Sequence, residues 1–345
     1  MHMADALISP AVGGTLWVAS AGLIGYCSKK LKQDLDDKKI PLMGVIGAFI
    51  FAAQMINFTI PATGSSGHLG GGMILAILLG PYAAFLTMAS VLTVQALFFA
   101  DGGLLALGCN IFNLGFFPCF VAYPFLYKAI VKDNPSSGSI ITGAVLSAIL
   151  GLQLGAFFVV LETFFSGISE LSFTSFVMLM QPIHLAIGLV EGVTTAAVVM
   201  FVWKSRPDII MPSFSFKAGK EHPMGKVLAG FVVAAVIAGG ALSWFASSHP
   251  DGLEWAMFKT SGTEELAAPE KGVHSSLAAI QEKTAFLPDY GFKTTDTSHP
   301  EKETAEAWPS VNPGTSVSGL VGGLLTLCLT VLIGLFIKHR KASGT

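Results

Sequence analysis

The first ten residues, Met1-His2-Met3-Ala4-Asp5-Ala6-Leu7-Ile8-Ser9-Pro10, put an imidazole directly behind the first residue of the chain. No basic run precedes the apolar stretch, so it does not read as a cleavable secretory signal. His2 also opposes removal of Met1, because the processing peptidase takes a small second residue. The expectation is a free α-amine followed at once by a histidine. Such an end is a chelate: the amine nitrogen, the His2 backbone nitrogen once deprotonated, and a His2 ring nitrogen lie roughly in one plane. One further nitrogen closes a square, a geometry suited to Ni(II) or Cu(II). Taken alone, His2 reads equally as a polar residue at a frayed terminus, and the rest of the chain has to decide.

The second stretch with chemistry is Ala62-Thr63-Gly64-Ser65-Ser66-Gly67-His68-Leu69-Gly70-Gly71-Gly72. Glycines let a backbone come close to another segment, and His68 can supply the missing nitrogen. No Gly-Lys-Ser/Thr follows, so this is not a phosphate cradle. Ser66 beside it, and Asp101, Asn110 and Asn113 in the segment Asp101-Gly102-Gly103 through Asn113, could orient ligand histidines by hydrogen bonds. A plain loop with an Asn helix cap is the competing reading. His184 and Glu191 are seven residues apart, hence on one helix face, and ionisable groups inside a membrane are costly and often functional. Structural pairing with neighbouring helices is the alternative for both. Gln54, Asn57, Gln95 and Gln153 read as interhelical hydrogen-bonding residues.

The elements that must position these residues are membrane helices. Only 12% of the 345 residues are charged, against about 25% in soluble domains, and the mean hydropathy is +0.66. Several apolar runs approach the length of about 20 residues that crosses a bilayer. The fold class is all-α polytopic, with candidate spans at 10–28, 41–60, 71–100, 108–131, 138–163, 176–203, 226–247 and 317–337. The four cysteines are scattered without CxxC spacing and read as buried or lipid-facing hydrophobes.

Charge fixes the topology. The short basic loops, carrying Lys29 to Lys39, Lys128 and Lys132, Lys204 and Arg206, belong on the cytoplasmic side. An even number of crossings must then separate the first two, so 71–100 divides into a half-depth helix 71–79, a turn at Gly80-Pro81 and a full span 82–100. Seven helical segments result in residues 1–205, followed by a cytoplasmic linker 206–225 and two more spans in 226–345. The N-terminus lies outside and the C-terminus inside. Loops 61–70 and 101–107 then share the outer face with the chain end, and neither holds Lys or Arg. The outer loop 248–316 is polar enough to be partly disordered.

MHMADALISPAVGG, ATGSSGHLGGG, DGGLLALGCNIFNLG and HLAIGLVEG together resemble the M component of nickel/cobalt energy-coupling-factor transporters, the NikM/CbiM family, over about residues 1–205. The remainder resembles the small N component, whose PDGLE segment matches Pro250-Asp251-Gly252-Leu253-Glu254. The resemblance implies a substrate-binding membrane subunit in a cell membrane. It holds Ni(II) or Co(II) through the Met1 amine, the His2 backbone and ring nitrogens, and His68. Partners implied are a transmembrane coupling subunit and ATP-binding cassette ATPase subunits, with no organic cofactor. All implied ligands lie within residues 1–68. The N-like loop, with His249, His274 and His299, is expected to act across the outer face without binding the ion.

Rival classes lack their signatures. An intramembrane metalloenzyme needs an open coordination position and a general base, as in HExxH, and no histidine pair has that spacing. A self-powered pump needs nucleotide-binding motifs, and none occurs. A channel or secondary carrier would differ in not requiring ATP-hydrolysing partners. Nickel and cobalt remain undivided, with the N-like part and the MHMADALIS opening inclining towards nickel.

Overall fold

A run that ends in Thr59-Ile60-Pro61 cannot continue as helix, because the proline ring pushes Ile60 into extended backbone. This sets the first departure from expectation in the computed structural model, which describes residues 2–35, 38–132, 135–210, 224–269, 271–293 and 308–342. Helix α1 (Pro10–Asp34) starts with Pro10 in its first turn and the Ser9 hydroxyl accepting from the Val12 amide. Helix α2 (Lys39–Gln54) stops at Gln54 instead of reaching residue 60. The chain turns instead through a hairpin, β1 (Phe58–Ile60) antiparallel to β2 (Ser65–Gly67), with Thr59 opposite Ser66. Among the described residues the otherwise helical fold therefore has one small sheet, and it carries the glycine loop.

Helix α3 (Gly72–Leu79) has eight residues, all buried, and at about 1.5 Å per residue it is too short to cross a bilayer. Gly80, at φ +77°, makes the turn that an L side chain resists, and Pro81 opens helix α4 (Pro81–Phe99). The expected division at Gly80-Pro81 is thus present. Helix α4 is the most buried of the membrane-length helices among the described residues, with 78% of its apolar window buried, against 17% for α1. Helix α5 (Leu107–Val131) winds wide over Phe112–Tyr127, the stretch where Pro118 and Pro124 remove amide donors. Helices α6 (Ser137–Ser166) and α7 (Phe173–Ser205) pack as a long antiparallel pair. Gln153 and Gln181 bond each other's backbone carbonyls across it.

Most of the linker, residues 211–223, lies outside the described residues. Helix α8 (Met224–Gly240) and the last helix then flank the polar segment, of which 270 and 294–307 lie outside the described residues. It contains helix α9 (Gly252–Ser261), helix α10 (Val273–Thr284) and a single turn at Pro288–Tyr290. Leu253, Ala256, Met257 and His274 are buried there. Apolar residues at helical spacing give these short helices a face to bury. His299 lies outside the described residues. Helix α11 (Pro313–Ala342) returns against α2, α4 and α8. Its Gly322 sits so close to the Phe51 ring that a Cβ there would clash with the ring. Cys27, Cys109 and Cys119 are buried, Cys328 is exposed, and all four are free thiols.

Candidate metal centre

The segment ahead of α1 has a single 3-10 turn, Asp5–Leu7, so most of its backbone is satisfied by side chains and loops. Asn110 acts as a two-sided clamp on Met3: its Oδ1 accepts from the Met3 amide at 2.8 Å and its Nδ2 donates to the Met3 carbonyl at 3.2 Å. The Gly103 amide donates to the same carbonyl, and the Ala106 amide donates to the Asp5 carboxylate. Asn113 Nδ2 lies 3.9 Å from the Met3 sulfur and donates to Glu162 at 2.7 Å. This platform, the start of α5, is pressed on α1 where Gly108 meets the Trp17 backbone, 2.5 Å from a would-be Cβ. The Ser20 hydroxyl donates to the Gly108 carbonyl there. Met1 itself lies outside the described residues.

Fixing Met3 aims His2. The His2 Nδ1 is 2.7 Å from Asp101 Oδ1, and the Tyr290 hydroxyl donates to the other oxygen of that carboxylate. A carboxylate accepts, so the His2 proton sits on Nδ1. The buried Nε2 has no hydrogen-bond partner. Burial alone would raise Asp101, but the His2 charge and the two hydrogen bonds outweigh it and hold the carboxyl down at about 2.

The loop that carries His68 is held from beneath. Glu191, buried in α7, accepts from the amides of Gly70 and Gly71 at 2.7 and 3.1 Å. Gln54 donates to the Gly70 carbonyl and in turn accepts from Gln95. The His68 Nδ1 is 3.1 Å from the Leu69 carbonyl, which can only accept, so Nδ1 carries the proton and Nε2 the lone pair. Burial, with nearby positive charge including that of His2, pushes the His68 imidazole down to about 3. The ring is therefore neutral at physiological pH. The His2 and His68 rings lie 5.0 Å apart, tilted by 33°.

His2, His68 and Asp101 are thus brought together, and Asn110, Asn113 and Glu191 hold the segments that bear the two histidines. Ser66 does something else: its hydroxyl donates to the His249 carbonyl and its amide to the Pro250 carbonyl. His184 is buried below the loop, with Nδ1 on the Met180 carbonyl of its own helix and Nε2 without a hydrogen-bond partner. Two histidines of the long polar segment make hydrogen bonds to the first part. His274 Nε2 donates to the Ile8 carbonyl at 2.9 Å, and the His249 carbonyl bonds Ser66.

Residues that sequence reasoning passed over complete the surroundings. Asp251 Oδ2 lies 3.9 Å from His68 Nε2, Tyr290 secures Asp101, and Gln281 donates to the carbonyls of Ala96 and Gly102. The PDGLE pattern marks Asp251, although only as a contact segment. Nothing marks Tyr290 or Gln281. A polar cleft of about 810 Å³ opens over these groups. Among the described residues no set of three or more His, Cys, Asp or Glu side chains is arranged to hold a metal. What the geometry offers is the His68 ring with its lone pair on Nε2 beside the His2 ring on Asp101, between two partly buried carboxylates. A divalent ion suits that arrangement if further donors come from the backbone.

Comparison with known proteins finds relatives that transport metals. Residues 2–209 match the profile of the cobalt uptake substrate-specific transmembrane region, CbiM, and residues 225–339 match the PDGLE domain. A NikMN-type fused nickel transport protein of Archaeoglobus fulgidus is 35% identical over 95% of this chain and 96% of its own length. The fused nickel transport protein NikMN of Rhodobacter capsulatus is 28% identical over 84% of this chain and 88% of its own. A crystal structure of a transition metal transporter aligns with a TM-score of 0.54 at 29% identity, covering 63% of this chain and 99% of that one. The chain belongs to the CbiM family of cobalt uptake substrate-specific transmembrane proteins, here joined to a PDGLE domain, and is a multi-pass metal transport protein.

Proposed function

We propose that this chain is the substrate-binding subunit of an energy-coupling-factor importer and that its cargo is Ni(II). The observation that carries the reading is the pair His2 and His68, rings 5.0 Å apart, beneath a cleft on one end of the helices. In the loaded site the Met1 amine, the His2 backbone nitrogen, His2 Nδ1 and His68 Nε2 form the square. Nδ1 is the ring atom that closes a six-membered chelate with its own backbone nitrogen. Chelation therefore replaces the proton that Nδ1 shares with Asp101, and Asp101 is the resting partner of that ligand atom. Asn110 and Glu191 act by holding the two ligand-bearing segments in register.

The amino end and the cleft face outwards and the C-terminus faces the cytoplasm, as the placement of basic loops requires. Residues 1–205 hold the ion and 226–345 act on that site. Lacking nucleotide-binding motifs, the chain works with a transmembrane coupling subunit and ATPase subunits. The full-length likeness to nickel transport proteins favours Ni(II). Co(II), serving cobalamin synthesis, is the second reading, favoured by the description of the family.

The test is the chain end. Untagged protein, a form with one added Gly and a form with a long N-terminal tag are compared for Ni(II) stoichiometry and for the visible band of a square-planar ion. A single residue moves His2 to position three, where it can build a square from two backbone amides and exclude His68. The long tag is expected to abolish the site. Normal binding and uptake by the long-tagged form would show that the amine is not a ligand.

A further inference from the structure

A second hollow, of about 780 Å³, lies at the end of the bundle remote from the cleft, between the last turns of α1 and α11. Each of three helices gives it one face. Gly25, Lys29 and Lys32 of α1 follow the three- and four-residue steps that put helical side chains in one row. Leu86, Ser90 and Thr93 do the same on α4, and Leu329, Leu332, Phe336 and Arg340 on α11. The hollow is therefore built jointly by the first part and the PDGLE part.

Its depth matches one leaflet of a bilayer. Leu329 and Arg340 are separated by about 16 Å of helix axis, and the hydrocarbon of one leaflet is about 15 Å thick. The floor is apolar, because its two hydroxyls turn back onto α4: Ser90 donates to the Leu86 carbonyl at 2.8 Å and Thr93 to the Ala89 carbonyl at 2.7 Å. The walls are open to lipid. Helices α1 and α11 are the least buried of the membrane-length helices among the described residues, and Leu332 and Phe336 are 62% and 59% exposed. A Cβ on Gly25 would have nothing within 4 Å. Lys29, Lys32 and Arg340 form a basic rim at the helix ends, with the Arg340 guanidinium 4.7 Å from the centre of the Phe336 ring. Among the described residues none of the three is in an ion pair.

We infer that the hollow is a binding site for an anionic phospholipid, with an acyl chain on the α4 floor and the phosphate held by Lys29, Lys32 and Arg340. An apolar groove open sideways to a bilayer fills with acyl chain, since water against that surface is unfavourable. A chain alone leaves the rim without a purpose. Three cations at the edge of the hydrocarbon favour a negative headgroup, and ammonium and guanidinium groups hold phosphate oxygens by charge-assisted hydrogen bonds. A partner helix would have to bring carboxylates to that same level. A phospholipid joins anion and apolar chain in one molecule at the spacing the groove provides. So placed, the lipid touches both α1 and α11 and ties the PDGLE part to the first part at the end opposite the cleft. On the orientation proposed above it belongs to the cytoplasmic leaflet.

The experiment titrates the full-length untagged protein in mixed micelles with dioleoylphosphatidylglycerol, with dioleoylphosphatidylcholine and with inorganic phosphate. Bound lipid is counted by native mass spectrometry and the melting temperature is followed. One basic group at a membrane surface favours an anion by about fivefold, so three should favour phosphatidylglycerol over phosphatidylcholine by about 100-fold. Inorganic phosphate is expected neither to displace the lipid nor to raise the melting temperature. Lys29→Gln, Lys32→Gln and Arg340→Gln combined should erase the preference for phosphatidylglycerol. Lys128→Gln, Lys204→Gln and Lys226→Gln combined remove the same charge elsewhere and should leave it within about twofold, since distant exposed charges are screened. Gly25→Phe fills the groove and should lose both lipids. Ni(II) binding at the parent level reports that each variant is folded, and if Gly25→Phe loses it the charge variants decide. Equal loss in the two triple variants, or stabilisation by inorganic phosphate alone, would overturn the site. So would unchanged lipid binding in the Lys29, Lys32 and Arg340 variant; failure of that variant to copurify with a coupling subunit would then make the hollow a protein interface.

Discussion

A buried imidazole that is already neutral cannot be the proton competitor in metal capture. Burial holds His68 at about 3, where an exposed histidine titrates near 6.5. A depressed histidine is unprotonated on both sides of neutrality, so between about pH 5 and 8 the competing protons come from elsewhere. They are those of the terminal amine, ordinarily near 8, and of the His2 amide. Ni(II) affinity is expected to rise steeply across that range. His68→Ala should bind far more weakly yet keep the same slope, measured by competition with a chelator at each pH. A flat profile in the parent would point to carboxylate ligands. The residues named from sequence for this site, His2, His68, Asp101, Asn110, Asn113 and Glu191, were legible because glycine runs and intramembrane polar groups stand out in an apolar chain. Asp251 and Tyr290 were not, because each reaches the site from more than 180 residues away.

The helices that carry these residues depend on a few close crossings. Gly108 at the start of α5 has the Trp17 amide nitrogen 2.5 Å and the Trp17 Cα 2.7 Å from the place of a Cβ. Backbone cannot swing aside as a side chain can. Gly108→Ala should therefore push α1 off the platform, at a cost of about 1–3 kcal/mol, and take the Asn110 clamp on Met3 with it. The expected outcome is a lower melting temperature in detergent together with weakened Ni(II) binding. A drop in stability with undiminished affinity would mean that the clamp survives the shift. Hydropathy and basic loops were enough to find the spans and to divide 71–100 at Gly80-Pro81. They overran α2 by six residues because apolar Phe58, Ile60 and Pro61 look like membrane residues while forming a hairpin. The helices α9 and α10 were missed for the opposite reason. They are short and polar on one side, and their apolar faces mean little until the surface they cover is known.

Across the whole molecule the PDGLE part is seated on the first part at both ends. Helix α11 packs along α2 with Gly322 under Phe51, while α9 and α10 reach the hairpin and the chain end. Nothing described in these contacts needs the linker 211–223. Cutting the gene there and expressing residues 1–210 and 224–345 as separate chains should give halves that copurify and retain Ni(II) binding. Recovery of the first half alone would show that the junction holds them together.

The bond between His274 and the Ile8 carbonyl also sets an order of events during synthesis. The residues that leave the ribosome first are gripped by a helix made some 270 residues later. Until α10 has been translated and brought across, the chain end lacks that bond and the His2–Asp101 pair lacks Tyr290 above it. A half-made chain thus carries every proposed ligand but lacks the two contacts that hold the chain end from above. Those contacts are among the last that synthesis can complete.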